Sequence, residues 1–236
     1  MLRHFDKHAL LATRNPLSPV SEAYRSLCTQ LQFIGNDVNV WTPRVMAVMS
    51  SGVGEGKTTT VTNMAITYAM EGKRVLLIDG DLRRSRLHRI FGMDMGRGLS
   101  HLLRGGHDAA DIARETGVRN LSLITAGAND YNYGELLALS GFELFLERAR
   151  EVYDVILFDS PPVLVVNDAK LIASCCDGVL LVVKAGVTKR EALMKAKQQL
   201  ERVQANILGV VLNEGEQLSK GEWRAYFKQV RRTARE

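Results

Sequence analysis

Residues 49–65, MSSGVGEGKTTTVTNMA, set Gly52, Gly54 and Gly56 just ahead of Lys57 and the threonines Thr58, Thr59 and Thr60. Glycines leave backbone amides uncovered, so the loop can close around phosphate oxygens while the helix that follows adds its positive N-terminal end. Lys57 reaches outer phosphates as a point charge, and the Thr58 hydroxyl is placed to ligate Mg²⁺. The run matches the phosphate-loop pattern G-x-x-x-x-G-K-[ST], with Ser51 standing where the first glycine belongs. Phosphate contacts are therefore expected from Ser51, Gly52, Val53, Gly54, Glu55, Gly56, Lys57, Thr58 and Thr59. The competing reading is a glycine-rich turn carrying an exposed lysine. An apolar run before the loop and a helical pattern after it argue against that.

A metal-bound triphosphate also needs carboxylates. RVLLIDGDLRR closes one apolar run with Asp79 and Asp81, and YDVILFDSPP closes another with Asp159. Residues two apart on an extended chain share a face, so Asp79 and Asp81 should lie together near the strand's carboxyl end. Asp159 is the expected acid for holding the magnesium and its water, alongside the Thr58 hydroxyl. Asp154 falls at the other end of its run, away from the site. One aspartate closing a strand is often only a turn residue, but three beside a phosphate loop are better read as a site.

The elements that must position these groups alternate along the chain. Apolar runs VMAVMS, RVLLID, LSLIT, DVILFD, GVLLVV and ILGVVLN read as strands. Lys57 to Met70 reads as a helix with Val61, Met64, Ala65, Tyr68 and Ala69 on one face and Gly72 as its stop. Glu191 to Val203 repeats that pattern. Continuously apolar strands suit a sheet covered on both faces, so the fold class is α/β, a single doubly wound, mostly parallel sheet flanked by helices. SEAYRSLCTQLQFI is a further helix, with Ser21 as its cap and Ala23, Leu27, Leu31 and Ile34 facing inward. Residues 1–20 read as a loose N-terminal arm in which two prolines discourage helix. Residues 21–236 then form one domain with an amphipathic C-terminal helix through Trp223, Tyr226, Phe227 and Val230.

Composition sets the outer bounds. The 236 residues are 46% hydrophobic and 24% charged, which suits a globular core and excludes a disordered chain. A net charge of +5 permits attraction to phosphate without requiring it. The cysteine count of 3 is odd and contains no C-x-x-C, which argues against a disulfide framework or a zinc site and for a reduced, cytosolic setting. No apolar run approaches the roughly 20 residues that span a bilayer.

Taken together, SPVSEAYRSLCTQLQF, SSGVGEGKTTT, VLLIDGDLRRSRLHRIFG, GLSHLLRG and YDVILFDSPPVLVVNDA resemble the bacterial tyrosine kinases, cytoplasmic autokinases of capsule and exopolysaccharide assembly built on the P-loop NTPase fold. The likeness runs from about Pro16 to Asn213. Its most discriminating element is DGDLRR, the second phosphate-site motif of that family. The related partitioning ATPases carry an extra lysine where this chain has Gly52. The resemblance implies ATP and Mg²⁺, with Lys57 holding the β- and γ-phosphates and Thr58 and Asp159 positioning the metal. It further implies Asp79 assisting at the metal, Asp81 accepting the proton of the incoming tyrosine, and Asn213 contacting adenine. From spacing alone, Asn213 equally suits a turn. The resemblance also implies a membrane-bound polysaccharide copolymerase that recruits and activates the chain at the inner face of the cell membrane. Self-association would run through Glu22 and Arg25, and the substrate would be a protein tyrosine.

The chain departs from the family's pattern in several places. Val53 and Ser85 replace prolines, and the oligomerisation motif E-x-x-R-x-x-R ends in Cys28. The tail holds Tyr226 where the family has a tyrosine cluster, and packing explains Tyr226 at least as well as phosphorylation. These departures motivate a second reading, a nucleotide-gated assembly switch without kinase output; a partitioning-type ATPase is the third. The basic run Arg83, Arg84, Arg86 and Arg89 reads either as a phosphate or acidic-partner clamp or as a solvated face. Aromatic residues are too scarce beside it to argue for nucleic acid.

Overall fold

The structure, a computed structural model, describes residues 12, 18–34, 42–104, 109–127 and 141–215. Nearly all of the N-terminal arm, and the tail expected to form a helix through Trp223, Tyr226, Phe227 and Val230, lie outside these residues.

Seven strands form one sheet in the order β3-β4-β2-β5-β1-β6-β7: β1 (Val45–Ser50), β2 (Val75–Asp79), β3 (Arg114–Glu115), β4 (Leu121–Ile124), β5 (Val155–Asp159), β6 (Gly178–Lys184) and β7 (Ile207–Asn213). All pairings are parallel except the short β3–β4 edge. The β-α-β rhythm of the sequence thus yields the doubly wound sheet it implied, a P-loop NTPase fold. Side-chain alternation divides the apolar strands between two layers. Ala47, Met49, Leu76, Ile78, Ile156 and Phe158 pack against α4 (Leu99–Leu103), α6 (Gly141–Val152), α7 (Asp168–Ser174) and α8 (Arg190–Arg202). Met46, Val48, Leu77, Leu157 and Val182 pack on α1 (Pro19–Gln32), α2 (Lys57–Met70) and α3 (Leu87–Ile90). A further helical turn, α5 (Ala109–Ile112), joins the first layer through Ile112.

Three local expectations are corrected. Ser18, not Ser21, caps α1: its side chain accepts the Ser21 amide at 3.1 Å, and Pro19 opens the helix instead of opposing it. Proline fits a first turn because its missing N–H has no partner there anyway. In α1 and just past its end, Leu27, Leu31 and Ile34 pack inward as expected, joined by Ser21 and Cys28, while Ala23 is exposed. Helix α2 buries more than one face, including Thr62, Asn63 and Ile66, because α1 covers the side turned away from the sheet. Finally, β7 is an edge strand, with Val210 and Leu212 exposed instead of covered.

Candidate active site

The carboxyl ends of β2, β5 and β1 lie side by side, and strand register fixes which residues meet. Asp159 is level with Val48 on β1 and with Asp79 on β2. Asp79 and Asp159 are thus neighbours across one strand spacing, both buried. Gly80 follows Asp79 because a Cβ there would lie 2.9 Å from Ile172 and 3.0 Å from the Asp159 carbonyl oxygen. Only a bare backbone lets the chain leave β2 so close to β5.

The loop between β1 and α2 is braced from within. The Ser51 hydroxyl donates to both Glu55 oxygens, at 2.8 and 3.1 Å, and the Gly52 amide donates to Glu55 Oε2 at 3.1 Å. Thr188, in the turn after β6, donates to Glu55 Oε1 at 2.8 Å. Burial alone would raise the Glu55 carboxyl, but these donors outweigh it and hold the group below its ordinary range. Ser51 and Glu55, expected as phosphate contacts, therefore engage each other with their side chains. Gly56 ends the loop at φ +103, a left-handed conformation that favours glycine. A Cβ there would also meet the Asn213 amide nitrogen at 2.0 Å. Asn213 reaches across from the end of β7 and donates to the Glu55 carbonyl at 3.1 Å.

A cavity of about 390 Å³ opens above this loop. Val53, Gly54, Gly56, Lys57, Thr58 and Thr59 form one wall, Asn213 and Glu214 close one end, and Asp81, Arg84 and Arg86 face it from the segment after β2. Lys57 is largely buried, and burial pulls its pKa down against the opposing pull of Asp159 and Asp81. Asp159 lies behind Thr58, whose hydroxyl donates to its Oδ2 at 2.7 Å. Asp79 Oδ2 accepts the Arg86 and Leu87 amides, both at 3.1 Å, and so caps α3. Asp81 Oδ1 accepts the Arg84 amide at 3.0 Å.

Asp79 Oδ1 and Asp159 Oδ1 are buried without a hydrogen-bond partner. Burial, with Asp159 as its neighbour, raises Asp79 well above the carboxylate range. Burial pushes Asp159 up to about 7 against the pull of Thr58 and Lys57. Two unsatisfied acid oxygens beside a glycine-lined cavity fit a divalent cation, which would give both acids a reason to ionise. Among the described residues no three His, Cys, Asp or Glu side chains form a ready-made metal cage. That suits Mg²⁺, which takes one or two carboxylates and completes its shell with water and phosphate oxygens.

Of the expected site residues, Lys57, Thr58, Asp79, Asp81, Asp159 and Asn213 converge here. Sequence reasoning did not place Pro162, Glu214 or Thr188, whose neighbourhood is set by strand order and not by any motif. Glu22 and Arg25 lie elsewhere, on α1, where Arg25 Nε donates to Glu22 Oε2 at 3.0 Å. Cys28, one turn on, is fully buried against the Met64 carbonyl. The place where the motif would carry its last arginine therefore faces inward.

A family model described as an AAA domain matches residues 43–211. The tyrosine-protein kinase YwqD of Bacillus subtilis is 33% identical over 218 residues, covering 92% of this chain and 90% of that protein. The tyrosine-protein kinase CpsD of Streptococcus agalactiae is 37% identical over 194 residues, 82% of each chain. The crystal structure of the chimerical protein CapA2B2 superposes with a TM-score of 0.82 at 29% identity, covering 90% of this chain and 92% of that one. With the strand order, the phosphate loop and the paired acids already in place, these likenesses put the chain in the bacterial tyrosine kinase family, as a protein-tyrosine kinase on a P-loop frame.

Proposed function

We propose that the cavity binds Mg-ATP and transfers its γ-phosphoryl group to a protein tyrosine, in the service of capsular or exopolysaccharide polymerisation and export. The observation that carries this reading is the meeting of Lys57, Thr58 and Asp81 at one cavity, with the orphaned oxygens of Asp79 and Asp159 buried behind it. Phosphoryl transfer asks for positioning and charge neutralisation more than covalent help, and these groups supply both. The loop amides cradle the phosphates, and Lys57, held at the start of α2, orients the outer ones. Thr58, Asp79 and Asp159 would hold Mg²⁺, which when bound neutralises phosphate charge. Asp81 accepts the proton of the tyrosine hydroxyl as its oxygen bonds to the γ-phosphorus and the bond to the β-phosphate oxygen breaks, releasing ADP. Asn213, already at the cavity's end, is the candidate for contact with the adenine.

In this reading residues 21–236 act as one kinase domain. No helix among the described residues is long and apolar enough to cross a membrane. In the same reading, a separate copolymerase-type activator recruits the chain to the cytoplasmic face of the membrane, with self-association through Glu22 and Arg25.

The test is incubation with labelled ATP, Mg²⁺ and the activator, followed by phosphotyrosine mapping. Wild type should label tyrosine and Lys57→Met should not. Equal labelling of the two, or labelled nucleotide turnover without phosphotyrosine, defeats the assignment.

A further inference from the structure

Arg84 and Arg86 stand out among the groups at the cavity. The basic run divides on folding. Arg83 forms an ion pair with the buried Asp168 at 3.0 Å, and Arg89 is exposed on α3 outside the cavity. Arg84 and Arg86 instead line the cavity, and among the described residues neither guanidinium has a hydrogen bond or ion pair. Their backbone is not free to drift. The Arg86 amide is held by Asp79 and the Arg84 amide by Asp81, so both acids fix the segment that carries the two cations. The Arg86 charge is felt at Lys57 and at Asp159, behind Thr58.

Charge explains why this arrangement calls for an anion. Lys57, Arg84 and Arg86 share the cavity with Asp81 and Glu214, and Glu214 already pairs with Lys184 at 2.9 Å. Three cations facing one unpaired acid repel each other until a polyanion fills the space between them. Lys57 approaches that polyanion from the loop side, and Arg86 approaches it from the side of Asp81, where the acceptor hydroxyl must arrive. A guanidinium there meets the group in transit between donor and acceptor, where negative charge spreads over the equatorial phosphoryl oxygens. Its planar fork suits those oxygens better than an ammonium would.

We propose that Arg86 is a catalytic residue of this enzyme, an arginine supplied by the chain to its own site that stabilises the phosphoryl group during transfer. The inference rests on the kinase reading. It goes beyond it by requiring no arginine from a neighbouring subunit for this step.

The test uses the full chain, with Arg86→Ala, Arg86→Lys and, as a charge control off the cavity, Arg89→Ala. Single-turnover phosphorylation should fall about 100-fold or more in Arg86→Ala, within the range seen when an arginine or oxyanion donor is removed. Arg86→Lys should recover part of that loss, and Arg89→Ala should match wild type. The second readout needs no turnover. Displacement of a fluorescent ADP should show Mg-ADP affinity changed less than about threefold in Arg86→Ala, with affinity for Mg-ADP plus fluoroaluminate falling by roughly the factor lost in rate. Circular dichroism and the thermal midpoint confirm that each variant is folded. The proposal is overturned if Arg86→Ala keeps the wild-type rate, if ADP and fluoroaluminate complexes weaken equally, or if only the KM for the acceptor rises. If wild type itself makes no phosphotyrosine, it is the kinase reading that fails, which separates the two outcomes.

Discussion

Asp159 has two oxygens in different circumstances, one accepting from Thr58 and one buried without a partner. In the absence of a cation, burial outweighs Thr58 and Lys57 and raises its pKa to about 7. The linkage follows directly. A carboxyl whose folded pKa lies above its unfolded value makes the folded chain the better proton binder, so the stability it contributes is complete below about pH 4 and is lost as pH rises through 7. Asp159→Asn keeps an acceptor for Thr58 and removes the titration. Without nucleotide or Mg²⁺, this variant should already be the more stable at pH 5, by about 1–2 kcal/mol, because the unfolded carboxyl is ionised there and the folded one is not. Between pH 5 and pH 8 that margin should widen by about 2–3 kcal/mol. Parallel curves from pH 5 to 8 would show that burial of this acid is less complete than the structure has it. The acid was legible in the sequence as a strand-end aspartate. Its unsatisfied oxygen was not, because that depends on Asp79 lying level with it across two strands joined far apart in the chain.

At the scale of elements, a single half-buried acid ties three of them together at the edge opposite the site. Asp177, just ahead of β6, accepts the Arg44 and Val45 amides at the start of β1, both at 2.8 Å. It also takes two bonds from Arg150 on α6, at 2.9 and 2.6 Å. Burial alone would raise its carboxyl, but these donors hold it below the ordinary range. Here the sign is the reverse of Asp159: the contribution is present above about pH 4 and is lost as pH falls through the folded pKa. Asp177→Ala should destabilise the chain by about 2–3 kcal/mol at pH 7, with the gap narrowing on acidification. Urea unfolding at the two pH values checks both parts, and a constant gap would assign the effect to packing instead. Nothing in the sequence marks Asp177, which looks like any loop acid beside two cysteines. The elements it joins were plain, because period and apolar run length are local properties. β7 was read from start to finish at Ile207–Asn213, and α2 at Lys57–Met70. What escaped was set by neighbours: the exposed side of β7 as an edge, and the two-residue strand β3, too short to carry a pattern.

For the molecule as a whole, the site is a seam at which five of seven strands end. β2 contributes Asp79 and the Asp81 segment, β5 contributes Asp159, β1 leads into the phosphate loop, β6 leads to Thr188, and β7 ends in Asn213. A ligand held there braces the ends of elements already packed through the sheet and its two apolar layers, so binding should register as global stability. With Mg-ADP at about 100 times its dissociation constant, mass action adds about 2.7 kcal/mol. For a chain of this size that corresponds to a rise of about 5–10 °C in the thermal midpoint. Mg²⁺ alone should give little of this, since the described residues offer a pair of buried acid oxygens and no complete cage. ADP with a chelator should fall between the two, as the loop amides and Lys57 still hold the phosphates. Lys57→Met should lose most of the increment without a lower midpoint of its own, because burial already strains that ammonium. Differential scanning calorimetry across the four conditions decides it. A full increment from Mg²⁺ alone would mean that the acids form a metal site independent of nucleotide, and the seam would then have to be described as two sites instead of one.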